Sequence, residues 1–175
     1  MKRPAVITLV LLLAVPCLAL TQAASQASPP GPPAPGPEVQ RLGFWVGTWT
    51  YESADVSGTL TYEWMTGGFS VIGREEGTDR VGKYAHLRIM TFDPAERVYT
   101  FYAVNNRGPG GSLAKITLAG NTWHGEWQAT VGGRPAAFRG DLVEVTPSLV
   151  TWKVERSLGA GPWTQITDGK YTRVK

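Results

Sequence analysis

Two histidines, His86 and His124, are the only imidazoles in a chain of 175 residues, so acid–base or metal chemistry would have to begin with them. A metal site needs three or four converging ligands. Two histidines on separate extended segments, with no cysteine beside them, do not supply that number, and no metal is expected. Enzymatic chemistry needs a nucleophile with its base, or a carboxylate pair in a cleft. The chain has no Gly-x-Ser-x-Gly elbow, no His-Glu-x-x-His and no phosphate-cradling loop. Gly108-Pro109-Gly110-Gly111 follows an extended run but opens no helix, and it reads as a plain loop. Glu75-Glu76, and Asp141 with Glu144, read as charges at strand ends. No catalytic residue is assigned.

Alternation separates the two imidazoles. His124 shares a face with Glu126 and Gln128, opposite Trp123 and Trp127, which places it on the solvent side. His86 shares a face with Arg88 and Met90, and is a candidate for the wall of a binding site. The chain carries seven tryptophans, and five of them are candidates for the rest of such a wall. Trp64, Trp123, Trp127, Trp152 and Trp163 either line a flat apolar pocket or simply fill a core, since large rings do that efficiently. The expected ligand-binding set is Trp64, Trp127 and Trp152 for area, with His86, Arg88 and Tyr102 setting orientation. Glu63, Arg88, Arg139 and Glu155 fall on apparent inward faces, where each needs a partner; the side of Arg139 stays open.

The elements that must position these residues are strands. From Gly47 onward, short apolar-alternating runs follow one another at roughly 8–12-residue spacing, separated by Gly, Pro, Asn or Asp. Ser57-Gly58, Gly67-Gly68, Asp93-Pro94-Ala95-Glu96, Gly120-Asn121, Gly132-Gly133, Pro147-Ser148 and Gly161-Pro162 are the turn signals, with a longer polar loop expected over Gly77 to Gly82. Ten strands result. No amphipathic helix of more than two turns is visible, so no crossover exists and the strands must be antiparallel. Leu60, Tyr62 and Trp64, then Trp123 and Trp127, then Val150, Trp152 and Val154 each alternate with polar neighbours. One dry and one wet face per strand predicts a closed up-and-down β-barrel, which also removes exposed edges. A short helical turn is expected over Glu38 to Trp45.

Lys2 and Arg3, an apolar run from Val6 to Leu20 and the small residues after Thr21 have the build of a secretory signal peptide, assigned to 1–24. The expected location is therefore periplasmic or secreted, with membrane contact only through an uncleaved segment. Cys17 lies in that run, so the remainder has no thiol and no disulfide. Ser28 to Pro37 is of polyproline type, making 25–37 a spacer and 38–175 the domain. Loss of Lys2 and Arg3 brings the net charge from +3 to +1. Without a Lys/Arg cluster, nucleic acid is excluded as a partner. Oligomeric state leaves no trace in the sequence.

Gly47-Thr48-Trp49, with a short turn before it, resembles the opening of lipocalin and wider calycin barrels, where an arginine late in the chain packs over the indole. Tyr171-Thr172-Arg173 offers that arginine, so the resemblance implies that Trp49 and Arg173 close the narrow end as structural residues. Gly67-Gly68-Phe69, Phe92-Asp93-Pro94 and the final Tyr-x-Arg extend the resemblance to an uncharacterised bacterial exported family of ten-stranded lipocalin-like barrels. Nitrobindins, a neighbouring barrel family, hold haem with a histidine near the chain's end. The last fifty residues here contain none, so neither haem nor another cofactor is expected. The expectation for function is uptake of a small apolar molecule in the barrel, without catalysis. The alternatives are a cavity-based isomerase or cyclase, which would leave no motif, and a filled barrel serving as a structural or protein-interaction module.

Overall fold

The structure, a computed structural model, describes residues 34–159 and 161–174. The expected signal segment 1–24 and positions 25–33 of the expected spacer lie outside the described residues. Pro37 opens a short helix, α1 (Pro37–Gln40), as its fixed φ and missing N–H allow at a first helical position. A 3₁₀ turn (Arg41–Phe44) continues it.

Ten strands follow: β1 (Gly47–Glu52), β2 (Ser57–Trp64), β3 (Ser70–Asp79), β4 (Gly82–Asp93), β5 (Val98–Asn105), β6 (Gly111–Ala119), β7 (Thr122–Val131), β8 (Arg134–Thr146), β9 (Leu149–Leu158) and β10 (Thr164–Arg173). Each pairs antiparallel with its sequence neighbour, and β10 returns to β1, closing the barrel. This is the closed, ten-stranded architecture expected from the turn signals and the alternation, in the lipocalin-like form that the resemblance at Gly47-Thr48-Trp49 implied. Closure sets Trp49 opposite Arg173 and Tyr51 opposite Tyr171.

One expected loop is different. The chain from Gly77 to Asp79 remains in β3, and only Arg80 and Val81 turn before β4. Asp79 makes so short a turn possible: its carboxylate accepts the Val81 and Gly82 N–H groups at 2.8 and 3.1 Å, and Gly82 takes φ +125°. The consequence is that Glu75 belongs to the middle of a strand rather than its end.

Aromatic rings lie across glycines of neighbouring strands inside the barrel. A Cβ at Gly73 would come within 2.4 Å of the Tyr62 ring, and one at Gly169 within 2.6 Å of Trp152. Tyr51 lies over both Gly58 and Gly77 in the same way. Absence of a side chain there lets a large ring lie nearly flat on the wall, so the interior is lined rather than plugged.

One end is plugged. Leu42, Trp45 and Trp49 are all but inaccessible, and the Trp49 indole N–H donates to the Trp45 carbonyl at 2.8 Å. The Arg173 guanidinium stands 4.1 Å from the centre of the Trp49 ring. It also donates to the carbonyls of Phe44, Val46 and Pro147, tying the 3₁₀ turn and the β8–β9 turn to the last strand. Arg41 and the Trp123 indole both donate to Glu144 at 2.5 Å. That end is a dry stack of rings rimmed by satisfied charges.

Candidate functional site

Above this plug a cavity of about 300 Å³ remains, at the small end of the range for ligand sites. Its floor is Trp45 and Trp123, and its walls include Met90, Phe101, Ile116, Trp127, Leu142, Trp152 and Tyr171. Small residues keep it open: Ala103, Ser112, Ala114, Gly125 and Gly140 occupy inward positions of β5 to β8. A larger depression on the outer surface near Glu52, Lys153 and Lys170 is polar and crossed by ion pairs, which makes it a poor host for apolar matter.

The polar group in the wall is built by β3 and β4. Register sets Glu75 opposite His86 and Gly73 opposite Arg88. Glu75 is 4% exposed, and a buried carboxylate must be paired and hydrogen-bonded to keep its charge. It is: Arg88 Nη2 and His86 Nδ1 converge on Oε2, the latter at 3.0 Å, and the Tyr84 hydroxyl donates to Oε1 at 3.3 Å. Tyr84 in turn shares a 2.7 Å hydrogen bond with Tyr51. Burial pushes the Tyr51 and Tyr62 hydroxyls well above the ordinary phenol range, so both stay neutral. The hydroxyls of Tyr62 and Tyr171 lie beside the Arg88 guanidinium, whose Cζ is 5.6 Å from the Phe101 ring centre.

Of the six residues expected at the site, His86, Arg88, Trp127 and Trp152 line the cavity. Trp64 and Tyr102 do not, which corrects the expected set. Trp64 has inward parity but stands at the end of β2 beside the 3₁₀ turn, where a Cβ on Gly43 would lie 3.4 Å from its ring. Tyr102 falls between the inward residues Phe101 and Ala103, so the pleat turns it outward, 44% exposed and lying over Gly111. Glu63, Arg139 and Glu155 also face outward, pairing as Arg74–Glu63 and Arg139–Glu155; Arg88 alone of that group turns inward. Trp49 and Arg173 meet at the plug and take no part in the cavity.

Glu75 is the functional side chain that sequence reasoning missed. Once β3 is extended to Asp79, Glu75 shares the parity of Val71, Gly73 and Gly77 and must point inward. That alternation, partly hidden by glycines, was the available signal.

The two imidazoles have opposite surroundings. Burial, with the Arg107 guanidinium behind it, holds the His86 pKa below 6.5; the charge of Glu75 is already matched by Arg88 and does not reverse this. His124 lies on the outer face, where its 2.5 Å bond to Asp141 raises its pKa. For His86 the lowered value means a stability contribution complete above the unfolded pKa and lost as pH falls through the folded one. For His124 the contribution is complete below the unfolded value and lost as pH rises through the folded one. The expected result is two imidazole C2–H resonances titrating on opposite sides of about 6.5, with the lower one vanishing in His86→Gln. A lower-titrating resonance that survives His86→Gln would refute the assignment.

Neither a protein-family model nor a curated protein matches the chain. Solved structures do. The crystal structure of Rv2717c from M. tuberculosis superposes with a TM-score of 0.57 at 10% identity, covering 81% of this chain and 99% of that one. The S-type phycobiliprotein lyase CPES from Guillardia theta gives 0.48 at 12% identity, with 78% and 92% covered. The structure of EF1p2_mFAP2b bound to DFHBI gives 0.42 at 10% identity, with 78% and 98% covered. At such identities, the likeness to Rv2717c shows a common barrel fold.

Proposed function

We propose that this barrel binds a small, predominantly apolar molecule in its cavity and does not transform it. The observation that carries this reading is the retained cavity itself. Small residues on four consecutive strands hold about 300 Å³ open in the middle of an aromatic interior, although larger side chains there would fill the core at no cost in fold type. A bicyclic aromatic of roughly 250 Å² apolar surface would gain about 6 kcal/mol on burial before association costs. With the export signal expected from residues 1–24, the protein would act as a carrier or scavenger outside the cytoplasm.

Titration with naphthalene, followed by tryptophan fluorescence and by ligand NMR, tests this reading. Binding with a micromolar to low-millimolar Kd is expected. Ala114→Phe, which places a ring in the cavity, should reduce affinity at least tenfold while leaving the far-UV spectrum of the barrel intact. Equal binding by Ala114→Phe would place the ligand elsewhere. Absence of binding to naphthalene and to other apolar molecules of that size would favour a filled, purely structural barrel.

One observation favours a second reading. His86, neutral and held by Glu75 through Nδ1, lines the cavity with its other ring nitrogen unprotonated. That is the arrangement of a base held by a carboxylate, and it is the single feature an isomerase of the cavity type would need. Hydrogen–deuterium exchange into a bound carbonyl compound, abolished by His86→Gln, would distinguish catalysis from binding.

A further inference from the structure

Three side-chain donors in this protein are buried without an acceptor among the described residues: Trp45 Nε1, Trp152 Nε1 and Arg88 Nε. All three residues line the cavity. The other two indoles of the plug are satisfied, Trp49 by the Trp45 carbonyl and Trp123 by Glu144, so the orphans are confined to the cavity wall. Buried N–H groups without partners are rare and costly, and each calls for a cause.

The residues that carry the orphans adjoin one side chain. The Tyr171 ring lies 6.2 Å from Trp45 and 6.1 Å from Trp152, centre to centre, and Tyr171 also adjoins the Arg88 guanidinium. Trp45 itself is 3% exposed. The unmet need of this part of the wall is entirely for acceptors.

Charge narrows the choice of acceptor. Arg88 already faces the Glu75 carboxylate through Nη2, and the orphaned Nε is a different edge of the same guanidinium. His86 is neutral at pH 7. The group is therefore balanced, and the other cation of the lining, Lys153, is already tied to Asp141 at 3.1 Å, so an anionic ligand would bury a second negative charge beside Glu75 with no free cation to meet it. An uncharged oxygen carries no such penalty.

Resting on the ligand-binding reading above, we infer that the ligand is an uncharged apolar molecule with a carbonyl oxygen (a ketone, quinone or ester), which accepts from Trp45, Trp152 and Arg88. The hydrocarbon part lies against Phe101, Ile116, Trp127 and Leu142, and the oxygen points toward Tyr171. Recognition is thus by shape for the body and by donor count for the head.

A matched series at pH 8 tests this: 2-acetylnaphthalene, 2-ethylnaphthalene and 2-naphthoate, nearly equal in size. The ketone is expected to bind roughly tenfold more tightly than the hydrocarbon, the gain of one to two buried hydrogen bonds. It should also exceed the carboxylate by at least as much. Trp45→Phe and Trp152→Phe keep the ring and remove the donor. Each should cut the ketone-to-hydrocarbon ratio severalfold; the ratio is the readout, because the smaller ring alters the apolar contacts of both ligands alike and only the ketone loses a donor. Independently of any substitution, the Trp45 and Trp152 indole ¹H resonances should move downfield with the ketone and not with the hydrocarbon. Equal affinity for ketone and hydrocarbon, or tightest binding by naphthoate, would overturn the inference and leave the ligand-binding reading standing. Failure of all three to bind would overturn both.

Discussion

Glu75→Leu is expected to destabilise the barrel by about 3–5 kcal/mol, the cost of leaving a buried cation without its partner. Arg88 cannot shed its proton to escape, and its other neighbours are the hydroxyls of Tyr62 and Tyr171 and the Phe101 face, none of which replaces the carboxylate. The Tyr84 hydroxyl and the His86 Nδ1–H lose their acceptor in the same step. At roughly 2–4 °C per kcal/mol for a chain of this size, the midpoint of thermal unfolding should fall by about 10 °C. The informative companion is the double variant Glu75→Leu with Arg88→Met. Replacing an entire buried pair by apolar groups is often near neutral, so most of the lost stability should return. A double variant as unstable as the single one would show that the pair is held by geometry peculiar to both side chains. Full stability of the single variant would mean that Arg88 reaches solvent and that the polar wall described above does not persist.

Trp49→Ala is expected to cost a similar amount, about 3–5 kcal/mol, by a different route. The indole is inaccessible to solvent and touches three partners whose rigidity depends on it: Phe44 and Trp45, with ring centres 5.6 and 5.7 Å away, and the Arg173 guanidinium above. Its removal leaves a hole in the plug and takes the donor from the Trp45 carbonyl. Arg173 would keep its backbone acceptors in the 3₁₀ turn but lose the surface it stacks upon. The cation–ring term itself is about 0.5–2 kcal/mol, so a cycle through Trp49→Leu and Arg173→Leu should show coupling of that order. Denaturant unfolding measures both quantities. Trp49→Ala should also weaken naphthalene binding, because Trp45 is the cavity floor and rests on Trp49. Loss of stability without any change at the cavity would show that plug and pocket are mechanically separate.

Much of this molecule is readable from its residues. Turn-formers at regular intervals and strict alternation in runs such as 60–64, 123–129 and 150–154 specify ten antiparallel strands, each with one dry face. A set of such strands without helices has few ways to bury those faces, and closure is the one that leaves no edge. Parity sets His124 outside and makes His86 and Arg88 candidates for the wall before any coordinates exist, but the same reading put Glu63, Arg139 and Glu155 on apparent inward faces, where the structure turns them outward into surface ion pairs.

Parity fails where it depends on strand length or on distance along the barrel axis. Trp64 has the inward parity but stands at the end of its strand, and Glu75 was misread because a two-residue turn at Arg80 and Val81 is indistinguishable in sequence from a longer loop. Whether the interior is full is beyond sequence altogether. The sum of large and small inward residues depends on shear and on which strands face one another across the lumen, and only their three-dimensional arrangement leaves Ala103, Ala114, Gly125 and Gly140 around one space. The same holds for the orphaned donors of Trp45, Trp152 and Arg88: a residue type declares that it has an N–H to offer, but what lies within reach of that N–H is a property of the assembled barrel.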